Sequence, residues 1–419
     1  MKWLPTLFAA EAIPSAMITF VALLMFLQLG LGWGMSTLYC ALLTLPWVMK
    51  SWVRRPLQRW GHYAAQLRCA EVTSLLCLVT LAFVFTARTN RREWVLLCLF
   101  VLCVLSAWHE LVSQMFYQQR LRRPLQRFYR VARMSFTQAA VILTYGVMIV
   151  AVGSFEVLFR NYPHVFARSW SLAVYLLAGV YLLLLLWNMW AVRGREEMRD
   201  ERLEIRDCQA QPSLLPPPSS FISHLSSLFF LLLPQALLFH ARVLYLFASP
   251  SEGGLGCSLQ DIGLAQGTVG VIAFSVGLIL GHRLMTKMRG ERKEMREGLM
   301  IFAIGFSPVV YWLMTQFPPS NLLWLCTATA TAQLCFGFGL NACAPILRRL
   351  FDDRYADTVN YLYVPLIALV MLPAMAASGW LVTLWGFEQF FAIDALLALP
   401  AWLLAYISMR RIVRLPQKE

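Results

Sequence analysis

Glu11, His109, Glu110, Gln114, Gln235, Arg242, Gln266, Asn341 and Asp394 stand inside stretches that are otherwise apolar enough to cross a bilayer. A charged side chain at mid-bilayer costs roughly 2.5 to 3.5 kcal/mol on insertion scales, so such residues mark pairing or function. Glu11 precedes Pro14, and a proline interrupts the helical hydrogen-bond ladder. Its carboxylate either serves as a proton-coupling group or, lying close to the start of its span, snorkels to water. His109 and Glu110 are neighbours and project roughly 100° apart on a helix, whereas Glu110 and Gln114 share a face. That face either meets a substrate or gate, or holds Glu110 in an interfacial pair with Arg120 or Arg127. Arg242 could bind a carboxylate or an anionic sugar acid through its planar fork, or snorkel near the boundary of its span. Gln266 and Asn341 could hydrogen-bond ligand hydroxyls or another helix. Glu11, Glu110 and Asp394 are thus the proton-coupling candidates. His109, Gln114, Gln235, Arg242, Gln266 and Asn341 are the substrate candidates. Asp261 differs: Ser258 and an acid three residues later form the capping box that starts a helix.

The elements that hold these groups are membrane spans. Hydrophobic residues make up 59% of the chain and charged residues 14%, against about 45 to 50% and about 25% in soluble domains; mean hydropathy is +0.60. The net charge of +14 would suggest nucleic acid in a soluble protein, but the arginines fall in short loops between apolar blocks, where they set topology. No nucleic-acid partner is expected. Ten scattered cysteines without a C-x-x-C and six histidines without ligand spacing give no disulfide framework and no metal site. No nucleophile elbow, zincin helix or phosphate-binding loop is present, so an enzyme and an ATP-driven pump within this chain are both excluded.

Apolar runs of the roughly 20 residues needed to cross a bilayer fall at 8–30, 33–52, 69–87, 94–116, 134–154, 169–192, 221–248, 258–284, 298–316, 321–347, 361–384 and 388–408. The loops after the second, fourth, eighth and tenth runs, and the tail, are rich in Lys and Arg. The opposite loops hold Arg88, Arg91, Arg92, Arg160 and Arg168, all in the first half. The positive-inside rule puts both termini in the cytoplasm. Residues 193–220 interleave charges and then run through Pro212 to Pro218, which makes them an aqueous linker. The expected organisation is therefore an all-α membrane protein of twelve spans. It comprises a six-helix bundle (1–192), the cytoplasmic linker (193–220), a second bundle (221–409) and a cytoplasmic tail (410–419). Gly263, Gly267, Gly270, Gly277 and Gly281 recur at helical spacing and are expected to form one close-packing face.

Six spans, a linker and six spans resemble the layout of major facilitator superfamily transporters. Several runs are similar to the AmpG-type muropeptide permeases of that superfamily: AEAIP (Ala10 to Pro14) with LPWVMK (Leu45 to Lys50), AWHELVSQMFY (Ala107 to Tyr117), the long stretch from Gly253 to Gly281, QLCFGFG (Gln333 to Gly339), and Gly379, Trp380, Phe390 and Phe391. The resemblance implies alternating-access import of cell-wall-derived anhydro-muropeptides across the bacterial cytoplasmic membrane. The expected driving force is the proton gradient, with no bound cofactor, a monomeric chain, and the lipid bilayer and a small solute as partners. The chain departs from that pattern at Gln114, Gln235, Ala332 and the run from Pro56 to Arg59, where the family tends to carry carboxylates. A facilitator or exporter of another amphiphile, and a non-transporting membrane sensor with the same fold, are the alternatives.

Overall fold

Proline and glycine decide where these apolar rods break. The computed structural model describes residues 3–87, 91–121, 130–193, 218–286, 292–343, 356–400 and 402–403; linker residues 194–217 and the tail lie outside them. Among the described residues the regular structure is entirely helical. We label the helices α1 (Leu4–Gln28), α2 (Trp33–Leu42), α3 (Leu45–Trp60), α4 (Tyr63–Val84), α5 (Arg91–Arg120), α6 (Arg133–Leu158), α7 (Val165–Arg193), α8 (Pro218–Phe247), α9 (Leu259–Met285), α10 (Met295–Gln316), α11 (Leu322–Leu340) and α12 (Ala356–Leu396). Ten helices among the described residues are long and apolar enough to cross a membrane. The second expected span is present as α2 and α3, separated at Leu43 and Thr44 with Pro46 in the first turn of α3. The last two meet end to end inside α12, where Gly386 takes φ +73°, a conformation open to glycine. Ten long helices plus these two joints are compatible with the twelve segments expected.

Successive spans alternate in direction, α2 and α3 counting as one. Trp3, Trp60, Tyr63 and Arg120 therefore lie at one end, called here the basic end, and Gln28, Trp33, Val84 and Phe247 at the other. Among the described residues three rods carry a π turn: Met17–Val21 in α1, Ile142–Val147 in α6 and Gly263–Gly270 in α9. Each adds a residue to one turn and so shifts the register of everything beyond it.

Helices in lipid gain little from the hydrophobic effect and associate through close backbone approach. Two such seams join the first six spans to the last six, both toward the end opposite the basic one. Between α6 and α9, Gly146 lies against Gly267 and Thr268, Gly263 against Gly146 and Val150, and Gly153 against Leu259 and Gln260. Between α2 and α12, the indole of Trp380 covers Gly34, and Gly379 sits on the Trp33 carbonyl. Thr37 fastens this seam, donating from Oγ1 to Ala376 O at 3.0 Å and accepting from Gly379 N at 3.2 Å. The α9 glycines do not form the single face expected. Gly263 and Gly267 face α6, whereas Gly270, Gly277 and Gly281 face Thr329, Leu334, Phe338 and Asn341 on α11 and just beyond it. The π turn between the two sets carries the change of face.

Candidate functional site

The expected site residues fall into three groups. At the basic end, Ser113 of α5 donates to Glu11 Oε2 of α1 at 2.5 Å, and Arg133 of α6 lies 3.7 Å from Glu11 Oε1. Arg133 also covers the Phe8 ring, 4.4 Å from its centroid. Glu11 is thus paired between α1, α5 and α6, with its side chain 13% exposed. Beside it, Lys50 of α3 meets Glu110 of α5 at 2.6 Å, and Gln114 donates to the same Glu110 Oε1 at 3.1 Å. The partner of Glu110 is Lys50, where the sequence suggested Arg120 or Arg127. α3 runs alongside α5 and brings its lysine to that depth. Arg120 lies over Phe116 instead, and Arg127 is outside the described residues.

His109 points elsewhere, as its angular offset from Glu110 requires. It is buried among α4, α5 and α7, with Nε2 3.4 Å from Glu71 Oε1, an oxygen that also accepts from Asn188 Nδ2 at 2.6 Å. Glu71 is 2% exposed. It was not among the expected residues, although the rule that selected Glu11, an ionisable group within a span, applies to it equally.

The third group lies where the two sets of helices meet. Arg242 of α8 is 5% exposed. Its guanidinium stands over Phe239, 5.0 Å from the ring centroid, and Tyr145 of α6 and Tyr311 of α10 belong to the same buried region. No carboxylate lies within 4 Å of it among the described residues. Its Nε and the Tyr145 hydroxyl are buried without a hydrogen-bond partner. Phe20 of α1 closes one side, stacked on Tyr145 at 5.1 Å and tilted against Phe239 at 5.9 Å. Gln266 of α9 donates to Tyr311 Oη at 2.6 Å, and Gln333 of α11 approaches Gln266 Oε1 at 3.4 Å. Tyr145 and Tyr311 escaped the sequence reading because tyrosines in spans are common and carry no motif; Gln333 opens the QLCFGFG run but is not among the expected site residues.

The remaining candidates have local partners. Gln235 Nε2 donates to Ile304 O at 2.5 Å. Asn341 Nδ2 spans the carbonyls of Leu278, Gly337 and Phe338 at 3.2 to 3.3 Å. Ser258 and Asp261 form the expected capping box. Asp394, in the last part of α12, is 1% exposed and neither carboxylate oxygen has a hydrogen-bond partner. Among the described residues no three His, Cys, Asp or Glu side chains gather as a metal site.

A multi-pass helical protein with this arrangement has the fold of major facilitator superfamily transporters. It superposes on the crystal structure of a bacterial homologue of the human lysosomal transporter Spinster in an inward-facing, unoccupied conformation, with TM-score 0.71, 12% identity, and coverage of 98% of this chain and 96% of that one. A D-xylose–proton symporter matches with TM-score 0.61, 13% identity, and coverage of 97% and 95%.

In sequence the chain is similar to the anhydromuropeptide permease of Escherichia coli strain K12, with 27% identity over 161 residues, or 38% of this chain. The match spans 32% of the permease, about a third of its length. No family model matches the chain. These relatives and neighbours are permeases and transporters, not enzymes.

Proposed function

We propose that the chain is a secondary active transporter of the bacterial cytoplasmic membrane, importing muropeptide-type sugar-peptides by alternating access and driven by the proton gradient. The observation that carries this reading is Arg242, a buried cation where the two sets of helices meet, with no carboxylate in reach among the described residues. An unpaired charge in low dielectric is costly, and an anionic ligand supplies the missing partner. The lactyl or peptide carboxylate of a muropeptide has that charge and suits the two-pronged guanidinium. The unpartnered Tyr145 hydroxyl and the Gln266–Tyr311 pair offer hydrogen bonds to sugar hydroxyls beside it. Similarity to the permease supports the same class of cargo over the aligned stretch.

In this reading the basic end and both termini face the cytoplasm, and the glycine seams close the outward path in the state described. Glu11, Glu110 and Asp394 carry the coupling protons, and the chain works as a monomer of two bundles. The test is uptake of labelled anhydro-muropeptide into vesicles with and without a proton gradient, comparing the parent with Glu110→Gln. Gradient-dependent uptake that the substitution uncouples is expected. Uptake indifferent to both would end the coupling claim, and none at all would end the substrate claim.

A further inference from the structure

Five arginines sit against the charge bias that orients the chain: Arg88, Arg91, Arg92, Arg160 and Arg168, all in the first half; the described four, Arg91, Arg92, Arg160 and Arg168, lie at the end opposite the basic one. Lysine and arginine on that side work against the topology that the other loops impose, so their presence there calls for a cause. The structure gathers two of them around a cavity of about 560 Å³, within the range of small-molecule sites. Its lining includes Arg91, Arg92 and His164, the rings of Phe85 and Trp170, and Gln28 at the end of α1.

Hydrogen bonds and ring contacts anchor part of the lining. Arg91 donates through Nε and Nη2 to Ala87 O at 3.1 and 2.8 Å, and Arg92 Nε donates to Leu29 O at 2.8 Å. Trp170 donates to Gln28 Oε1, the same amide donates to Glu156 at 2.7 Å, and Phe85 stacks on Trp170 at 6.0 Å. Glu93 lines the cavity too, but neither guanidinium forms an ion pair with a described carboxylate. The second half is the reverse at this end: Glu252, Asp261 and Glu388 stand there, and the loops 248–258, 317–321 and 385–388 contain no Lys or Arg. A negatively charged solute reaching this end is therefore repelled by one half and drawn to the other.

We infer that this cavity is a binding site for an anionic, ring-bearing solute of the sugar-acid class, separate from the Arg242 site. Two carbonyl-anchored guanidiniums take the carboxylate, and the aromatic wall covers the less polar face of the ring. The site lies within the first six spans, so it holds the solute at the mouth without needing the halves to move.

The test uses the full chain in phosphatidylcholine nanodiscs, titrated calorimetrically with D-glucuronate and with D-glucose. Glucuronate is expected to bind and glucose to bind at least tenfold more weakly. Arg91→Gln with Arg92→Gln should weaken glucuronate at least tenfold. Arg242→Ala should leave cavity binding of glucuronate in place, and on that background Ala167→Trp, which fills the cavity from a buried position in its wall without touching a charge, should abolish it. Glucuronate binding that survives the Ala167→Trp, Arg242→Ala pair, or that is lost with Arg242→Ala alone, overturns the assignment. Loss of binding on replacing phosphatidylcholine by phosphatidylglycerol overturns it as well, by making a lipid headgroup the occupant. Because no transport is read, this outcome is independent of whether the chain moves muropeptides.

Discussion

Gln235 of α8 donates its side-chain amide to the carbonyl of Ile304, the group that Pro308, four residues on in α10, leaves without a backbone donor. The amide mends a break in a helix it does not belong to. Leaving a buried carbonyl unpaired costs about 1–3 kcal/mol, so Gln235→Leu should lower the melting temperature of the purified protein. Adding Pro308→Ala, which restores the N–H, should recover most of the loss. A double variant no more stable than Gln235→Leu alone would show that the amide is there for something else.

The Lys50–Glu110 pair is largely buried, with side chains 8% and 18% exposed. Removing one partner strands the other charge, which costs about 3–5 kcal/mol in buried pairs, while removing both is far milder. Lys50→Met should therefore destabilise more than Lys50→Met with Glu110→Gln, as read by thermal unfolding in detergent. Equal destabilisation by single and double variants would mean that the contact carries no net energy.

For Arg242 the expectation concerns ligand more than fold. A hydrogen bond to a charged group is worth about 1.5–3 kcal/mol, so Arg242→Ala should weaken binding of an anionic substrate roughly tenfold to a hundredfold. Arg242→Lys keeps the charge without the fork and should fall between the two. Direct binding measurements on the three proteins check this. An unchanged affinity in Arg242→Ala would remove Arg242 from the site.

Gly267 leaves no room for a β-carbon, which would strike the Tyr145 carbonyl and Gly146 nitrogen across the α6–α9 seam, whereas a β-carbon at Gly179 meets open space. Overpacking costs typically 1–3 kcal/mol. Gly267→Ala should push the halves apart at that end and slow uptake about tenfold or more, while Gly179→Ala should transport at the parental rate. A Gly267→Ala protein with normal uptake would show that this seam need not close.

The helical plan was legible because span length and loop charge are imposed by the bilayer, which acts on every residue of a segment at once. Side-chain partners were less so. Lys50 stands near the end of the second apolar run, beside a basic loop, yet α3 continues to Trp60 and keeps that lysine inside. Glu71 is marked by being an ionisable group within a span, but nothing in its local sequence names Asn188 as its partner. The α9 glycines showed the opposite error, because their spacing implied one face. Counting residues presumes a uniform helical pitch, and the turn Gly263–Gly270 does not keep it.

That wide turn has an implication for how the sequence tolerates change. A π turn is an α-helix with one residue too many, held as a local swelling. Each of α1, α6 and α9 is in effect two shorter rods indexed independently, so that the glycines meeting α6 and those meeting α11 need not agree on a common phase. Deleting a single residue within Gly263–Gly270 would smooth the rod and rotate its lower stretch by roughly 100°, turning Gly277 and Gly281 away from the grooves they occupy. What reads as a defect in winding is the gear that lets one helix mesh with two partners at once.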